Sequence, residues 1–163
     1  MKRTLLLMRH AKSSWNDTSV NDSKRPLNKR GAHDAPMMGK RLKGLNYHCD
    51  RLIVSTATRA YETAKAVANA MGYKGSIVKD ERLYMADIDN YLEVIAEVDE
   101  AVKHLMIVSH NPGTEAFFTY LTGERVEKFP TAAYALIEID SSWADMKEGK
   151  LLRFDTPKSD QER

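Results

Sequence analysis

The chain has 163 residues, with 25 Lys and Arg against 23 Asp and Glu, a formal net charge of +2, 42% hydrophobic and 29% charged residues. That length and composition are those of one ordinary globular domain with a real core, and the near balance of charge excludes a general nucleic-acid binder, which shows a basic run or stripe. The one cysteine, Cys49, excludes a disulfide framework and a Cys-based metal cluster. It reads as a half-buried inert thiol.

Lys2 and Arg3 precede an apolar run too short for a signal peptide, and no run approaches transmembrane length. A cytoplasmic monomer without nucleic-acid or membrane partners is the expectation. Residues 3 to 9 read as a first strand, because Thr4-Leu5-Leu6-Leu7-Met8 has the length of a buried one. Charge then appears abruptly at Arg9-His10. Residues 16 to 24, rich in Asp, Ser, Thr and Asn, read as a loop that ends in Arg25-Pro26-Leu27-Asn28. Asn28 can cap a helix. Ala32, Ala35, Met38 and Leu42 follow at helical spacing, with Pro36 expected to kink or divide the helix and Gly44 to end it.

Arg51 to Ser55 reads as a second strand. A helix from about Thr58 carries Ala60, Ala64, Val67, Ala68 and Met71 on one face and stops at Gly72. Ser76 to Lys79 is a short third strand, Glu81 to Asp89 a loop, and Asp89 to Glu97 a helix. His104 to Ser109 is the most strand-like run. It is followed by His110-Asn111-Pro112-Gly113 and a helix from about Pro112 to Leu121, with proline in the first turn, where it is tolerated. Ala132 to Ile139 and Lys150 to Phe154 are expected to form an antiparallel hairpin at a sheet edge, and 156–163 a frayed polar tail. This alternation predicts a three-layer α/β/α sandwich with a mainly parallel central sheet, as a single domain over residues 1–163.

In open α/β sheets, ligands bind beyond the carboxyl ends of the strands. Arg9-His10 follows the first strand, Arg59 the second and His110 the fourth, so parallel strands bring them to one edge. Arg25, in the first long loop, is left out of that convergence. Arg and His without nearby Cys or His-Glu-x-x-His spacing fit a phosphate pocket better than a metal site. Guanidinium groups bind phosphate oxygens bidentately and stay charged. Cationic neighbours also disfavour a protonated imidazole, which keeps one His neutral for attack on phosphorus. Nucleophilic catalysis through a covalent phosphoryl intermediate follows, with the second His and the Arg groups stabilising the transferring oxygens.

Arg9-His10 after an apolar strand, Ser55-Thr56-Ala57-Thr58-Arg59-Ala60-Tyr61-Glu62-Thr63-Ala64 and Val108-Ser109-His110-Asn111-Pro112 together resemble the histidine phosphatase superfamily. Arg25-Pro26-Leu27-Asn28-Lys29-Arg30-Gly31 and the short length make the chain similar to its compact branch, the SixA-type phosphohistidine phosphatases, from about Thr4 to Leu136. The resemblance implies a phosphoglycerate-mutase-like fold and a hydrolase that needs no metal or other cofactor. It implies His10 as the phosphorylated nucleophile, Arg9 and Arg59 as phosphate ligands, His110 on the same phosphate, and Arg25 as an additional phosphate ligand. The chain departs from the pattern at Ala11, where many members have Gly. Because Ala tolerates positive φ poorly, the turn is expected to keep negative φ.

Larger members use a carboxylic acid to protonate an ester leaving oxygen, and here Glu81 and Glu62 are the candidates. Glu62 lies three residues after Arg59, the spacing of a structural pair with it. Glu81 lies in the loop expected after the third strand. A phosphohistidine substrate eases the need for an acid, since its leaving imidazole is protonated near neutral pH. Lys12, Ser13 and Ser14 either donate to the phosphate or shape a turn, and Trp15 packs beside the site or serves as a core or surface anchor. His33 and His48 read as solvated, His104 as structural, and the eight Met residues as core filling.

Few insertions after the strands predict an open, shallow site, which suits a protein-borne phosphate; small ligands favour closed pockets. The expected partner is therefore a phosphorylated protein, a phosphohistidine-bearing carrier domain. The alternative is a phosphomonoesterase acting on a small phosphorylated metabolite or nucleotide. A third reading is a catalytically silent phosphate-binding module, against which the joint presence of Arg9, His10, Arg59 and His110 counts.

Overall fold

In strand β1 (Arg3–Arg9), the two-residue period of a strand divides an unbroken apolar run between two cores. Leu5 and Leu7 enter one and Leu6 and Met8 the other. The structure is a computed structural model that describes residues 2–158. Besides two 3-10 turns, Asp22–Lys24 in the expected loop 16–24 and Glu81–Leu83, its remaining elements are helix α1 (Lys29–Gly44), β2 (Arg51–Val54), α2 (Thr58–Met71), β3 (Ile77–Lys79), α3 (Ile88–Ala96), β4 (His104–Ser109), α4 (Gly113–Thr122), β5 (Tyr134–Ile139) and β6 (Lys150–Asp155).

Strand β4 alternates as β1 does. Leu105 and Ile107 join Leu5 and Leu7 against Tyr91, Val94 and Ile95 of α3 and Phe117, Phe118 and Leu121 of α4. Met106 and Val108 join Leu6 and Met8 against Ala35, Met38 and Leu42 of α1 and Ala60, Ala64 and Val67 of α2. Apolar faces on both sides of the sheet are what a buried parallel sheet requires. The result is the expected three-layer α/β/α sandwich. The sheet order is β3-β2-β4-β1-β5-β6. The β2–β3, β2–β4 and β1–β4 pairs are parallel, and β5 and β6 add an antiparallel edge.

The register sets the site. Arg9 pairs with Ser109, and Val54 with Val108. The amides of His10 and Ser55 extend the ladder to the carbonyls of Ser109 and Val108, at 2.9 and 3.2 Å. His10, Ser55 and His110 therefore leave three adjacent strands at one level.

Several sequence expectations need correction. Pro36 does not divide α1, which runs unbroken from Lys29 to Gly44; the lost hydrogen bond is the one to the carbonyl of Ala32, an exposed residue that water can serve. The expected loop 81–89 contains a 3-10 turn, Glu81–Leu83, and α3 begins at Ile88, where Asp87 and Asn90 form a reciprocal capping box. β5 begins two residues later than expected, after Ala132, which has a φ of 64°. Thr156 and Pro157 are tied down, since Arg41 donates to their carbonyls at 2.8 and 2.7 Å; Lys158 is exposed, and residues 159–163 of the expected frayed tail lie outside the described residues. Asn28 caps α1 as expected by accepting from the amide of Gly31. Cys49 is buried, and burial pushes its thiol up to about 12.

Candidate active site

Strand β1 leads directly into His10, a residue only 7% exposed. Its Nδ1 lies 2.7 Å from the carbonyl oxygen of Ala11. A carbonyl only accepts, so Nδ1 carries the hydrogen and the lone pair of the neutral ring is on Nε2. Ala11 holds this geometry without positive φ. Its amide donates to Thr63 Oγ1 at 2.9 Å, and the Thr63 hydroxyl donates to the Arg59 carbonyl at 2.7 Å. One buried threonine thus links the turn after His10 to the helix that carries Arg59.

His110 leaves β4 beside it. The two ring centroids are 5.0 Å apart and inclined by 56°. His110 Nε2 pairs with Ser55 Oγ at 2.7 Å, while its Nδ1 is buried without a hydrogen-bond partner. The Ser109 hydroxyl donates to the Leu83 carbonyl and accepts from the Tyr91 hydroxyl, at 2.8 and 2.9 Å, which anchors the end of β4.

Three guanidinium groups surround the imidazoles. Arg9 donates from Nη1 to the Phe129 carbonyl at 3.0 Å, an oxygen that also accepts from Asn111 Nδ2 at 3.1 Å. The Nε atoms of Arg9 and Arg59 are buried without partners. Arg59 donates from Nη1 to the backbone oxygen of Asp22 at 2.7 Å and from Nη2 to its Oδ2 at 3.1 Å. Arg25 donates from Nε to Asp22 Oδ1 at 3.1 Å and from Nη1 to Ser13 Oγ at 2.7 Å. The guanidinium of Arg25 lies 3.5 Å over the ring of Trp15, itself 68% exposed. Arg25 therefore belongs to the cluster. The loop after β1 folds back through Asp22, which the spacing of apolar residues cannot reveal.

Burial and the neighbouring Arg59, Arg9 and Arg25 hold His10 down to about 4, against the hydrogen bond to Ala11. Burial, His10, Arg59 and Arg9 hold His110 down to about 3. Both imidazoles are neutral at pH 7. The opposite holds for Asp22: the hydroxyl of Tyr84, at 2.6 Å, and the two guanidinium groups bring its carboxyl down to about 2.

The two candidate acids go elsewhere. Glu62 does not pair with Arg59. Its Oε1 accepts from the amide of Leu27 at 2.9 Å, because Arg59 is turned toward Asp22. Glu81 is exposed, and no hydrogen bond links its carboxylate to the cluster. Ser13 and Ser14 support Arg25, the latter through its carbonyl at 3.2 Å. Lys12 is exposed, and its carbonyl accepts from the amide of Asn28 at 3.0 Å. His33 and His48 are exposed, and His104 pairs with Thr4. Sequence reasoning missed Asp22, Tyr84, Ser55 and Thr63. Ser55 and Thr63 stood inside a motif already singled out, and Asp22 stands three residues before Arg25. Tyr84 carried no signal. Among the described residues, no group of three or more His, Cys, Asp or Glu side chains is placed to hold a metal ion, and no helix is long and apolar enough to cross a membrane.

The family model of the histidine phosphatase superfamily (branch 1) matches residues 5–138. An uncharacterized protein of Mycobacterium tuberculosis (strain H37Rv) is 34% identical over 163 residues, covering 93% of this chain and 100% of its own. Phosphohistidine phosphatase SixA of Escherichia coli (strain K12) is 29% identical over 143 residues, 85% of this chain and 86% of that protein. The fold is similar to the structure of the protein histidine phosphatase SixA complexed with tungstate, with a TM-score of 0.83, 25% identity, and coverage of 94% of this chain and 97% of that one. The chain belongs to the histidine phosphatase superfamily, branch 1, and is a phosphatase.

Proposed function

We propose that the chain removes the phosphoryl group from a phosphohistidine carried on another protein, through a covalent intermediate on His10. The observation that carries this reading is the fixed Nδ1 of His10, which leaves Nε2 as a neutral nucleophile among cations. Arg9, Arg59 and Arg25 hold the phosphoryl oxygens. With Ser55 as the donor to Nε2 of His110, the ring proton sits on the unpartnered Nδ1, which then donates to the same oxygens.

The Nε2 lone pair forms the new P–N bond as the bond to the leaving group breaks. Water then attacks the phosphorus, the P–Nε2 electron pair returns to His10, and inorganic phosphate leaves. His10 starts and ends neutral.

The choice of a phosphohistidine over an ester is supported by what the cluster holds. It contains cations and one ionised carboxylate, while Glu62 is engaged with a backbone amide. A leaving imidazole needs no strong acid; an alkoxide does. The name of the SixA relative supports the same substrate class.

The test is turnover of a phosphohistidine-bearing carrier domain beside an aryl phosphate, with one protein preparation. Faster loss from the histidine is expected. Faster cleavage of the ester would move the assignment to a phosphomonoesterase acting on small molecules.

A further inference from the structure

We infer that Asp22 determines the leaving group: its carboxylate accepts the ring N–H of a departing phosphohistidine imidazole, which favours cleavage of P–N over P–O bonds. This rests on the phosphohistidine reading above.

The geometry points to a free acceptor at the mouth of the site. Oδ2 of Asp22 accepts from Arg59 Nη2 and the Tyr84 hydroxyl, and Oδ1 accepts from Arg25 Nε. A carboxylate has about four acceptor positions, so one on Oδ1 is open. The Asp22 side chain is 48% exposed, although the Arg25 and Arg59 side chains that it pairs with are each 8% exposed. Asp22 is therefore the member of this trio most open to an arriving substrate. Tyr84 connects it to the histidine pair, since the hydroxyl that donates to Asp22 belongs to a ring standing edge-on to His110 at 5.6 Å. Arg9, Arg25 and Arg59 only donate and His10 is committed to phosphorus, so Asp22 is the anionic acceptor beside these groups.

The chemistry differs between the two bonds. A phosphohistidine ring protonated on its other nitrogen is cationic, and its N–H matches the open acceptor. When His10 Nε2 bonds to phosphorus, the P–N pair returns to the ring, which leaves as neutral imidazole with that hydrogen still attached. No proton has to be supplied. When a P–O bond breaks, its pair stays on oxygen as an anion beside an existing carboxylate. Asp22 holds no proton at neutral pH to relieve it. The same carboxylate thus holds the substrate ring in the protonated form from which the P–N bond breaks, and opposes the build-up of an oxyanion when a P–O bond breaks.

The experiment compares native protein, Asp22→Asn and Asp22→Glu on free N-phosphohistidine and on phenyl phosphate. For Asp22→Asn, kcat/KM on phosphohistidine is expected to fall further than on the ester by about tenfold or more, the loss of one hydrogen bond to a charged group. Asp22→Glu should restore part of that ratio. The alkaline limb of kcat for phosphohistidine should also move to lower pH in Asp22→Asn, because the bound protonated ring has lost its acceptor. Equal falls on both substrates, with no movement of the limb, would reduce Asp22 to a positioning residue for the guanidinium groups and overturn the inference.

Should Asp22→Asn not fold, the native profile decides. An alkaline limb of kcat above the free-solution pKa of the substrate ring supports the inference, and a kcat limb at that pKa contradicts it. Native protein that prefers the ester would refute the phosphohistidine reading itself. Native preference for phosphohistidine with an unchanged ratio in Asp22→Asn would refute the role of Asp22 alone.

Discussion

The rings of His10 and His110 lie with centroids 5.0 Å apart, and both residues are more than nine-tenths buried among arginines. Neither can be charged cheaply, and each disfavours a proton on the other. Titration followed by NMR of the imidazole carbon-bound protons should show both neutral from pH 7 down to pH 5, with midpoints at about 4 for His10 and about 3 for His110. A midpoint near the ordinary imidazole value for either ring would contradict the site as described. The same shifts make stability depend on pH. Below about 6.5 the unfolded imidazoles bind protons that the folded ones refuse. This contribution is complete above that pH and is lost as pH falls toward 4 and then 3.

Arg59 spends both Nη atoms on Asp22 and keeps a buried Nε with no partner. Arg59→Ala removes the proposed phosphate donor and the support of Asp22 together. Its kcat should fall on the order of a hundredfold or more, as for removal of one transition-state donor. Retention of native kcat, measured at saturating substrate, would remove Arg59 from the reaction.

Thr63 is fully buried between the amide of Ala11 and the carbonyl of Arg59. Thr63→Val keeps the shape and leaves the Ala11 amide without an acceptor. Urea unfolding should show a loss of about 1–3 kcal/mol, the cost of one buried unsatisfied group. Turnover should fall as well, since Ala11 also fixes the His10 ring. Unchanged stability would mean that the link between the turn and α2 is dispensable.

Gly31 lies on the first turn of α1 directly against the chain that follows His10. A Cβ built on Gly31 collides with the carbonyl oxygen of Lys12. The obstacle is backbone, so Gly31→Ala must displace either α1 or the loop. A loss of about 1–3 kcal/mol is expected from overpacking, together with reduced turnover. A variant with native melting and native rate would show that this contact has room to give.

Most of the framework was legible because its pattern is strong. The run His104 to Ser109 is bounded by charge on one side and His110-Asn111-Pro112 on the other, and β4 has those limits. Arg9, His10, Arg59 and His110 follow from strand ends in a parallel sheet. Arg25 did not, because the path of a polar loop is set by Asp22 and its partners rather than by any apolar period. Pro36 misled for a local reason: its helix is held along its apolar face by Ala35, Met38 and Leu42, which outweighs one missing hydrogen bond on the exposed side. Glu62 misled because spacing alone cannot tell whether Arg59 turns toward its own helix or toward Asp22.

The most direct measurement is a rapid alkaline quench during turnover, followed by peptide mass spectrometry of native protein and His10→Ala. The expected result is one phosphoryl group on the peptide bearing His10 in the native protein, with no adduct and no turnover in the variant. A phosphoryl group on another residue, or unchanged turnover in His10→Ala, would contradict the nucleophile.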